Sequence, residues 1–338
     1  MKKLLSISVV IPAYNEQRNL TRLFNSLKNQ TYPKSKIEYI LVDDDSSDRS
    51  IAIAKKFGAK IVRVKTHDIE LNKGIGMHKA KNDLVYWLDA DMQICGKDFF
   101  EKLAEPLNSD NSIDASFTAE FAMNKKLPYV KSSILRFISY HPLQQDPLYA
   151  FFSPDLQNQI VHTTSEYFVC KFVPGRIPAV GRILYRRKKL LSTEVGKHPE
   201  FIDMEAVETY TRAGFDTYAY VPKALIRHYH AETLGLLVKK RLRNLDRDYL
   251  PNYENKHFTW FDIENKKDIL KIIFWVIWAN AFIPETIRGL YYAVKHRDHA
   301  FLWQPVVAIV TTDAILLGFM SHRKGRQIIA RFLRNIIR

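Results

Sequence analysis

The amino-acid sequence predicts an α/β protein built on a mostly parallel sheet flanked by helices. Apolar, β-branched runs at residues 7–11, 37–42, 60–64 and 84–88 alternate with segments of helical period. This alternation is typical of a parallel sheet covered on both faces. Polar clusters follow three of these strands, and such sheets bind ligands beyond the carboxyl ends of their strands. We therefore expect a single site at one edge of the sheet.

Composition and charge narrow the functional classes. The 338 residues are 46% hydrophobic and 12% aromatic, which is enough for a sizeable core and excludes wholesale disorder. The net charge of +15 favours an anionic membrane surface, a phosphorylated substrate or a nucleic acid as partner. No zinc-finger or aromatic-basic RNA signature occurs, so we expect no nucleic acid. Cys95 and Cys170 match no metal-ligand spacing and fit a reducing compartment.

The first element is a core strand rather than a signal peptide. Two lysines precede the first apolar run, but that run enters a polar turn with no small-residue cleavage site. The strand is expected to end at Pro12. A helix follows it, because apolar residues recur there at helical spacing. These residues are Leu20, Leu23, Phe24 and Leu27.

The later elements continue this alternation until the signal weakens between residues 115 and 199. A helix then returns at 203–213, closed by Gly214, and a short strand follows it. The remaining predicted elements are strands at 37–42, 60–64, 84–88 and 217–221 and a helix at 51–57.

The C-terminal third contains two long apolar runs, at residues 269–283 and 300–320. The first is short for a membrane span, which needs about 20 residues. The second contains Asp313, and the basic loop at 295–297 would oppose the positive-inside rule if both runs crossed a bilayer. An interfacial or re-entrant hairpin, a pair of spans and buried helices of a soluble protein all stay open.

The last residues, 323–338, form a basic amphipathic segment without any acidic residue. This composition is typical of a helix lying on an anionic membrane, although such a helix can also pack on its own domain. Its apolar stripe consists of Ile328, Ile329, Phe332, Leu333, Ile336 and Ile337.

Asp89 and Asp91 directly follow the fourth strand. Two carboxylates one residue apart at a strand end can hold a hard divalent cation and leave positions for diphosphate oxygens. An isolated pair of this kind would more often be a solvated turn, because aspartate is common in turns. Polar clusters at residues 12–16 and 43–48, on the same predicted edge, favour the metal site.

These segments resemble the landmark segments of the family 2 glycosyltransferases. The matching stretches are SVVIPAYNE at residues 8–16, VDDDSSD at 42–48 and YWLDAD at 86–91. The resemblance implies a GT-A fold, inverting sugar transfer and a nucleoside diphosphate-sugar donor, linked to UDP or GDP. It also implies a Mg²⁺ or Mn²⁺ cofactor.

The resemblance assigns roles to single residues by their position. Those implied to contact the nucleotide or its diphosphate are Pro12, Ala13, Tyr14, Glu16, Asp44, Lys73 and Asp89. Asp91 is the implied metal ligand, and His228 could be a further one, with His230 as the alternative. Imidazole suits Mn²⁺ better than Mg²⁺.

An inverting transfer also needs a general base, and the resemblance places Asp203 there, with Glu205 as second choice. The alternative is a structural role, because the helix dipole favours an acidic residue such as Asp203 at the start of a helix. The chain departs from the family pattern at three positions, where Asp45 replaces a glycine, Gly74 an asparagine and Ile202 a glutamate.

We therefore expect a catalytic domain at residues 1–235, with a nucleotide-sugar half at 1–115 and an acceptor half at 116–235, followed by membrane-associated helices at 236–338. The expected activity is metal-dependent sugar transfer to a lipid-linked or polyprenyl-phosphate acceptor at the cytoplasmic face of the cell membrane. Arg182, Arg186 and Arg187 could contact an acceptor phosphate or form a solvated face. Removing residues after about 265 should leave a soluble domain.

Two rival functions stay open. One is a catalytically inert membrane-binding scaffold on the same fold, although Asp89, Asp91 and Asp203 are all present. The other is a nucleotidyltransferase, which would normally have a glycine-rich phosphate loop after the first strand; residues 12–16 do not form one.

Overall fold

The computed structural model describes residues 4–119, 133–138, 152–251, 253–254, 260 and 262–337. The chain divides into two compact units. The first consists of Met1–Ala122 and Pro154–His228, and the second of Met123–Ser153 and Tyr229–Arg338. A segment from the middle of the chain therefore groups with the C-terminal helices.

The described residues contain eleven strands and twelve α-helices. The strands are β1 Ile7–Ala13, β2 Ile37–Asp43, β3 Lys60–Arg63, β4 Leu84–Trp87, β5 Met92–Ile94, β6 Ala115–Phe117, β7 Ile160–Thr163, β8 Phe168–Lys171, β9 Ile183–Arg186, β10 Thr217–Tyr220 and β11 Ile226–His228. The helices are α1 Gln17–Lys28, α2 Ser50–Lys56, α3 Ile69–Lys79, α4 Phe99–Ser109, α5 Ser133–Ile138, α6 Arg187–Leu191, α7 Asp203–Arg212, α8 Leu234–Asn244, α9 Lys266–Asn280, α10 Ile283–His296, α11 Gln304–Ser321 and α12 Arg323–Ile337.

The first unit is built on a sheet of nine strands within the described residues, in the order β3-β2-β1-β4-β9-β6-β10-β8-β7. β1 pairs in parallel with β2 and β4, β2 with β3, and β6 with β10. β8 and β9 run against their neighbours, so the sheet is mixed but most strands share one direction. The predicted α/β class with a mostly parallel sheet is confirmed. β5 and β11 form a separate antiparallel pair.

The sheet core follows from the apolar patterns. All seven residues of β1 are buried, as expected for a central strand covered on both faces. Helix α3 lies so close to the sheet that a Cβ added at Gly76 would be 2.2 Å from Val10 Cγ1. The stretch with weak signal contributes β6 to β9. These strands have only three or four residues, and β6 and β9 pair with partners that are distant in sequence, so the sequence around them gives little signal. β7 and β8 form a local hairpin.

The second unit is helical, and α11 lies at its centre. This helix contacts α8, α9, α10 and α12, and it buries Gln304, Thr311 and Thr312. One apolar cluster of this unit joins Phe137 and Ile138 of α5 to Phe301 and Val307.

Helix α12 packs part of its apolar stripe inside the second unit. Ile328 is buried in a cluster with Leu245 and Ile263, and Phe332 packs against it. Leu333 and Ile336 stay exposed, and the side chain of Ile337 lies outside the described residues. The structure therefore divides the predicted stripe between internal packing and an exposed surface.

Candidate active site

The loops after β1 and β2 are joined at one edge of the sheet. Asp44 N donates to Ala13 O over 3.0 Å, and Asn15 N donates to Ser46 Oγ over 2.9 Å. Glu16 N donates to Ser50 Oγ over 2.9 Å. The structure therefore brings the first two predicted clusters together. Pro12 and Ala13 are buried strand residues, while the Tyr14 side chain is 55% exposed and open to a ligand.

Asp44 organises the loop that precedes α3. Its carboxylate accepts from Thr66 N over 2.9 Å, His67 N over 3.2 Å and Asn72 Nδ2 over 3.1 Å. Because a carboxylate can accept about four hydrogen bonds, room remains for one from a nucleotide base. The implied contact between Asp44 and the base stays a prediction, beside a structural role that the sequence did not indicate.

The departure at Asp45 has a backbone explanation. Asp45 has a φ of 61°, the left-handed region that glycine adopts freely and that aspartate tolerates better than most residues. Its side chain also forms a 3.0 Å ion pair with Lys65. The glycine of the family pattern and this aspartate therefore meet the same conformational demand.

The two aspartates after β4 are held by pairing on both sides. Leu88 N donates to Val10 O over 2.9 Å, which extends the pairing of β4 with β1 up to Asp89. Asp91 directly precedes β5, and β5 pairs with β11 so that Met92 lies opposite His228. His228 Nε2 consequently lies 3.3 Å from Asp91 Oδ1. His230, the alternative ligand, belongs to the second unit.

The Asp89 side chain is surrounded by other ionisable groups. Its Oδ1 is buried and has no hydrogen-bond partner in the described part of the chain. Burial raises the pKa of Asp89, and the carboxylates of Asp91 and Asp203 raise it further, against the opposing effects of Lys73 and His228. A buried carboxylate oxygen without a donor is a ready acceptor for a cation.

Lys73 connects this group to the predicted base. Its side chain is 5% exposed, and its Nζ lies 3.2 Å from Asp203 Oδ1 and 3.2 Å from Glu70 Oε2. Burial alone would lower the pKa of Lys73, but the carboxylates of Asp203, Glu70 and Asp89 outweigh it and hold that pKa above its ordinary value. The three carboxylates therefore favour the charged form of Lys73.

The helix that begins at Asp203 is positioned by the segment just before it. Phe201 N donates to Glu70 O over 3.0 Å, which ties this segment to α3. A Cβ added at Gly74 would lie 1.9 Å from Pro199 O, so only glycine allows this approach. The departure from asparagine at Gly74 therefore accompanies the close contact that brings Asp203 to Lys73.

The three arginines considered for an acceptor phosphate have different surroundings. Arg186 donates to the backbone carbonyls of Ile113 and Leu107, each over 2.9 Å. Arg187 Nε donates to Asn82 O over 2.8 Å. The side chains of these two arginines are therefore held by backbone carbonyls, which indicates a structural role.

Arg182 differs from these two because it interacts electrostatically with Asp89 and Asp203. Burial lowers its pKa, and Tyr86, Asp89 and Asp203 act in the opposite direction. Its φ of 54° is left-handed, which is uncommon for an arginine and marks a constrained turn at the site. Sequence alone could not separate it from its two neighbours.

These donor atoms suit a divalent metal. Carboxylate oxygens of Asp89 and Asp91 match Mg²⁺, and the imidazole of His228 beside Asp91 adds a ligand that Mn²⁺ accepts readily. The unsatisfied Asp89 Oδ1 supports the fit. The arrangement therefore combines a candidate cation site, a carboxylate at Asp203 and an exposed aromatic surface at Tyr14.

Residues 8–168 match the family described as Glycosyl transferase family 2. The chain is 32% identical over 95 residues to poly(ribitol-phosphate) beta-N-acetylglucosaminyltransferase TarS of Staphylococcus aureus (strain Mu50 / ATCC 700699), covering 26% of this chain and 16% of that protein. It is 40% identical over 105 residues to undecaprenyl-phosphate 4-deoxy-4-formamido-L-arabinose transferase of Edwardsiella ictaluri (strain 93-146), covering 27% of this chain and 31% of that protein.

A solved structure of similar fold is glucosyl-3-phosphoglycerate synthase from Mycobacterium tuberculosis, in complex with Mn²⁺, uridine diphosphate and glucosyl-3-phosphoglycerate. Its TM-score is 0.45 at 19% identity, covering 69% of this chain and 75% of that one. The matched part of this chain spans less than a third of the length of either curated relative.

Proposed function

Residues 8–168 form a family 2 glycosyltransferase domain, and on that premise we propose that the protein transfers a sugar from a nucleoside diphosphate-sugar to a membrane-held acceptor. The donor is linked to UDP or GDP. The acceptor is a polyprenyl phosphate or a sugar on a lipid carrier. Transfer inverts the anomeric centre, as the resemblance implies.

The observation that carries the proposal is the contact between Lys73 and Asp203. The two residues are 130 positions apart, yet their charged atoms lie 3.2 Å from one another. The same lysine acts on Asp89. The residue assigned as base and the acids assigned to the metal therefore belong to one electrostatic cluster, which supports a catalytic role over an inert scaffold.

In this proposal Asp203 takes the proton of the acceptor hydroxyl. The hydroxyl oxygen forms a bond to the anomeric carbon, and the bond from that carbon to the diphosphate oxygen breaks. Lys73 holds the Asp203 carboxylate in place, and Glu70 holds Lys73. Tyr14 and Glu16 border the nucleotide, and Asp44 offers its remaining acceptor capacity to the base.

The metal site is assigned to Asp91, with Asp89 and His228. A Mg²⁺ or Mn²⁺ ion held by these residues would supply positive charge to the leaving diphosphate. Asp89 Oδ1, which lacks a donor among the described residues, gains a cationic partner by this arrangement.

A membrane-held acceptor is supported by the charge and by one relative. The net charge of +15 suits the cytoplasmic face of a membrane, where anionic lipids attract basic proteins. The relative from Edwardsiella ictaluri is named for an undecaprenyl-phosphate acceptor. We place this protein at the cytoplasmic side of the cell membrane.

The test is sugar transfer by the full-length protein and by Asp203→Asn, with UDP- and GDP-sugars and lipid acceptors. For a hydroxyl acceptor, turnover should fall on the order of 10²-fold or more while donor binding persists, because the amide cannot take a proton. The matched control is Asp216→Asn, which removes a partly exposed acid paired with Lys171 at 2.6 Å. This control should transfer sugar normally.

The same variant reports on the class of acceptor. A phosphate acceptor is already ionised near neutral pH, so it needs no base and Asp203→Asn should then cost little. No transfer from any donor to either class of acceptor by the unmodified protein would refute the proposal. Loss of turnover in Glu205→Gln together with a normal Asp203→Asn on a hydroxyl acceptor would assign the base to Glu205.

A further inference from the structure

Helices α9 and α10 of the second unit carry an exposed apolar face. Its members are each between 50% and 78% exposed. Soluble proteins rarely leave so many large apolar side chains together in water, and such faces mark interaction surfaces. The central members are Phe274, Ile277, Ile283, Ile287, Leu290 and Val294.

The amphipathic pattern of α10 is inverted. Ile283, Ile287 and Val294 recur at helical spacing on the exposed side. The buried side instead carries Glu285 and Gly289. A helix of a water-soluble domain does the opposite, so the exposed side of α10 is built for an apolar environment.

A buried polar network fixes the bend between the two helices. Glu285 is fully buried and accepts hydrogen bonds from Trp278 Nε1 over 2.7 Å and from Gln304 Nε2. Arg288 Nη1 lies 3.4 Å from Glu285 Oε1. These partners come from α9, α10 and α11, and the axes of α9 and α10 differ by 70°. Straightening the pair into a single span would separate Glu285 from Trp278 and carry a charge into hydrocarbon.

Helix α11 is long and apolar enough to span a membrane, but it also packs against other helices of the second unit. His299–Ser321 is the one single stretch of the described residues that is long and apolar enough to cross a bilayer, and 50% of it is buried inside the protein. It contacts four other helices. Half of this stretch is therefore covered by the protein itself, which a helix surrounded by lipid would not need, and the most exposed apolar side chains of the unit lie on α9 and α10.

The charges around this face favour an anionic bilayer over a protein partner. Lys266 and Lys267 begin α9, while Lys295 and Arg297 lie at the end of α10. The acids within residues 266–297 are Asp268, paired with Lys271 at 3.5 Å, and the buried Glu285. Apolar side chains bordered by cations match acyl chains bordered by anionic headgroups.

We propose that α9 and α10 dock as a bent wedge in one leaflet of an anionic bilayer, with both helices in the plane of the interface. This inference rests on the proposed function, which requires membrane attachment, and it identifies the surface that binds the membrane. It is tested by lipid binding, so it can fail while sugar transfer stands.

The first experiment measures flotation of the full-length protein with vesicles of phosphatidylcholine, with and without phosphatidylglycerol. Ile287→Glu combined with Val294→Glu should lower the bound fraction at least tenfold. The matched control is Val161→Glu with Val173→Glu, which changes valines of the first unit that are 64% and 49% exposed. This control should bind within twofold of the unmodified protein.

High salt separates the apolar contribution from the ionic one. At 1 M salt the Debye length is about 3 Å, so attraction to headgroups is screened while apolar burial is not. Binding to the anionic vesicles should therefore weaken only a few-fold. Equal binding by the double variant, or no vesicle binding by the unmodified protein, would overturn the inference. So would a dimer, seen by light scattering, that the variant disperses while vesicle binding is unchanged.

The second experiment distinguishes a wedge from a span. Lys267→Cys and Arg297→Cys are added separately to preformed vesicles and treated with a membrane-impermeant thiol reagent, with the parent chain as background. A wedge leaves both positions reactive from outside. Protection of residue 297 alone would show that the pair crosses the bilayer.

Discussion

Lys73 carries its charge where little water reaches it. Its side chain is 5% exposed, whereas its partners Glu70 and Asp203 are 18% and 37% exposed. Because burial would favour the neutral amine, the ion pairs keep it charged. Its ion pairs in turn hold the two carboxylates, which makes Lys73 a positioning residue for Asp203.

Lys73→Met keeps the length of the side chain and removes its charge. We expect the free energy of unfolding to fall by roughly 2–3 kcal/mol, less than the about 3–5 kcal/mol for a fully buried pair because Asp203 is partly solvated. Chemical denaturation measures the change. Lys65→Met, which breaks an exposed ion pair with Asp45, is the control and should change stability by less than about 1 kcal/mol. Equal effects of both variants would contradict the role given to Lys73.

Asp91 is the residue on which the metal assignment depends. Asp91→Asn keeps the size of the side chain but weakens metal binding, so transfer should be nearly abolished and Mn²⁺ should no longer raise the melting temperature. The melting temperature without metal should change little. Asp98→Asn is a suitable control because Asp98 forms a surface ion pair with Lys102, at 2.9 Å. Full transfer by Asp91→Asn, or by the unmodified protein in excess chelator, would rule out metal dependence.

Helix α3 shows how an element positions a site. It packs against the sheet at Gly76 and against the segment before α7 at Gly74. These two close contacts bring its Lys73 face to Asp203. Both glycines are therefore required by packing, although neither has a φ in the left-handed region.

Gly74→Ala tests this contact. The added Cβ would lie 1.9 Å from Pro199 O, and a backbone carbonyl cannot move aside cheaply. We expect a loss of about 1–3 kcal/mol in the free energy of unfolding and a lower turnover, because the Asp203 segment shifts. Gly235→Ala, in α8, meets nothing within 4 Å and should be neutral or up to about 1 kcal/mol stabilising. A stabilised, fully active Gly74→Ala would show that the contact is not needed.

The site elements differ in how far the sequence predicts them. Asp44, Asp89 and the 12–16 cluster could be placed together because strands of one direction end at one edge. The contact of His228 with Asp91 depends on the pairing of β5 with β11, two three-residue strands far apart in the chain. The antiparallel β9 lies between β4 and β6 without a local signal. Such pairings are decided by tertiary packing rather than by propensity.

At the scale of the whole molecule, the second unit is assembled from two parts of the chain. Phe137 and Ile138 of α5 are fully buried in a cluster with Phe301 and Val307. Arg136 Nη2 lies 2.9 Å from Asp298 Oδ1, and Trp303 Nε1 donates to Ser133 Oγ over 2.9 Å. The sequence showed no link between residues 133–138 and the C-terminal helices. From the sequence we therefore expected that removing the residues after about 265 leaves a soluble domain.

The packing of α5 leads us to predict a different outcome. A chain ending at residue 265 loses Phe301 and Val307, which exposes part of the surface of Phe137 and Ile138, at a cost of up to about 1.5–3 kcal/mol each. We expect this truncated protein to aggregate in a solubility assay. Adding Phe137→Gln and Ile138→Gln should lower the aggregated fraction without abolishing aggregation, because the apolar surface of α5 is removed while α8 still lacks its cover by α11. Both forms, once soluble, should bind UDP or GDP in a thermal-shift assay, since the assigned nucleotide contacts lie in the first unit. A truncated chain that is soluble and monomeric without those substitutions would show that α5 does not depend on the C-terminal helices.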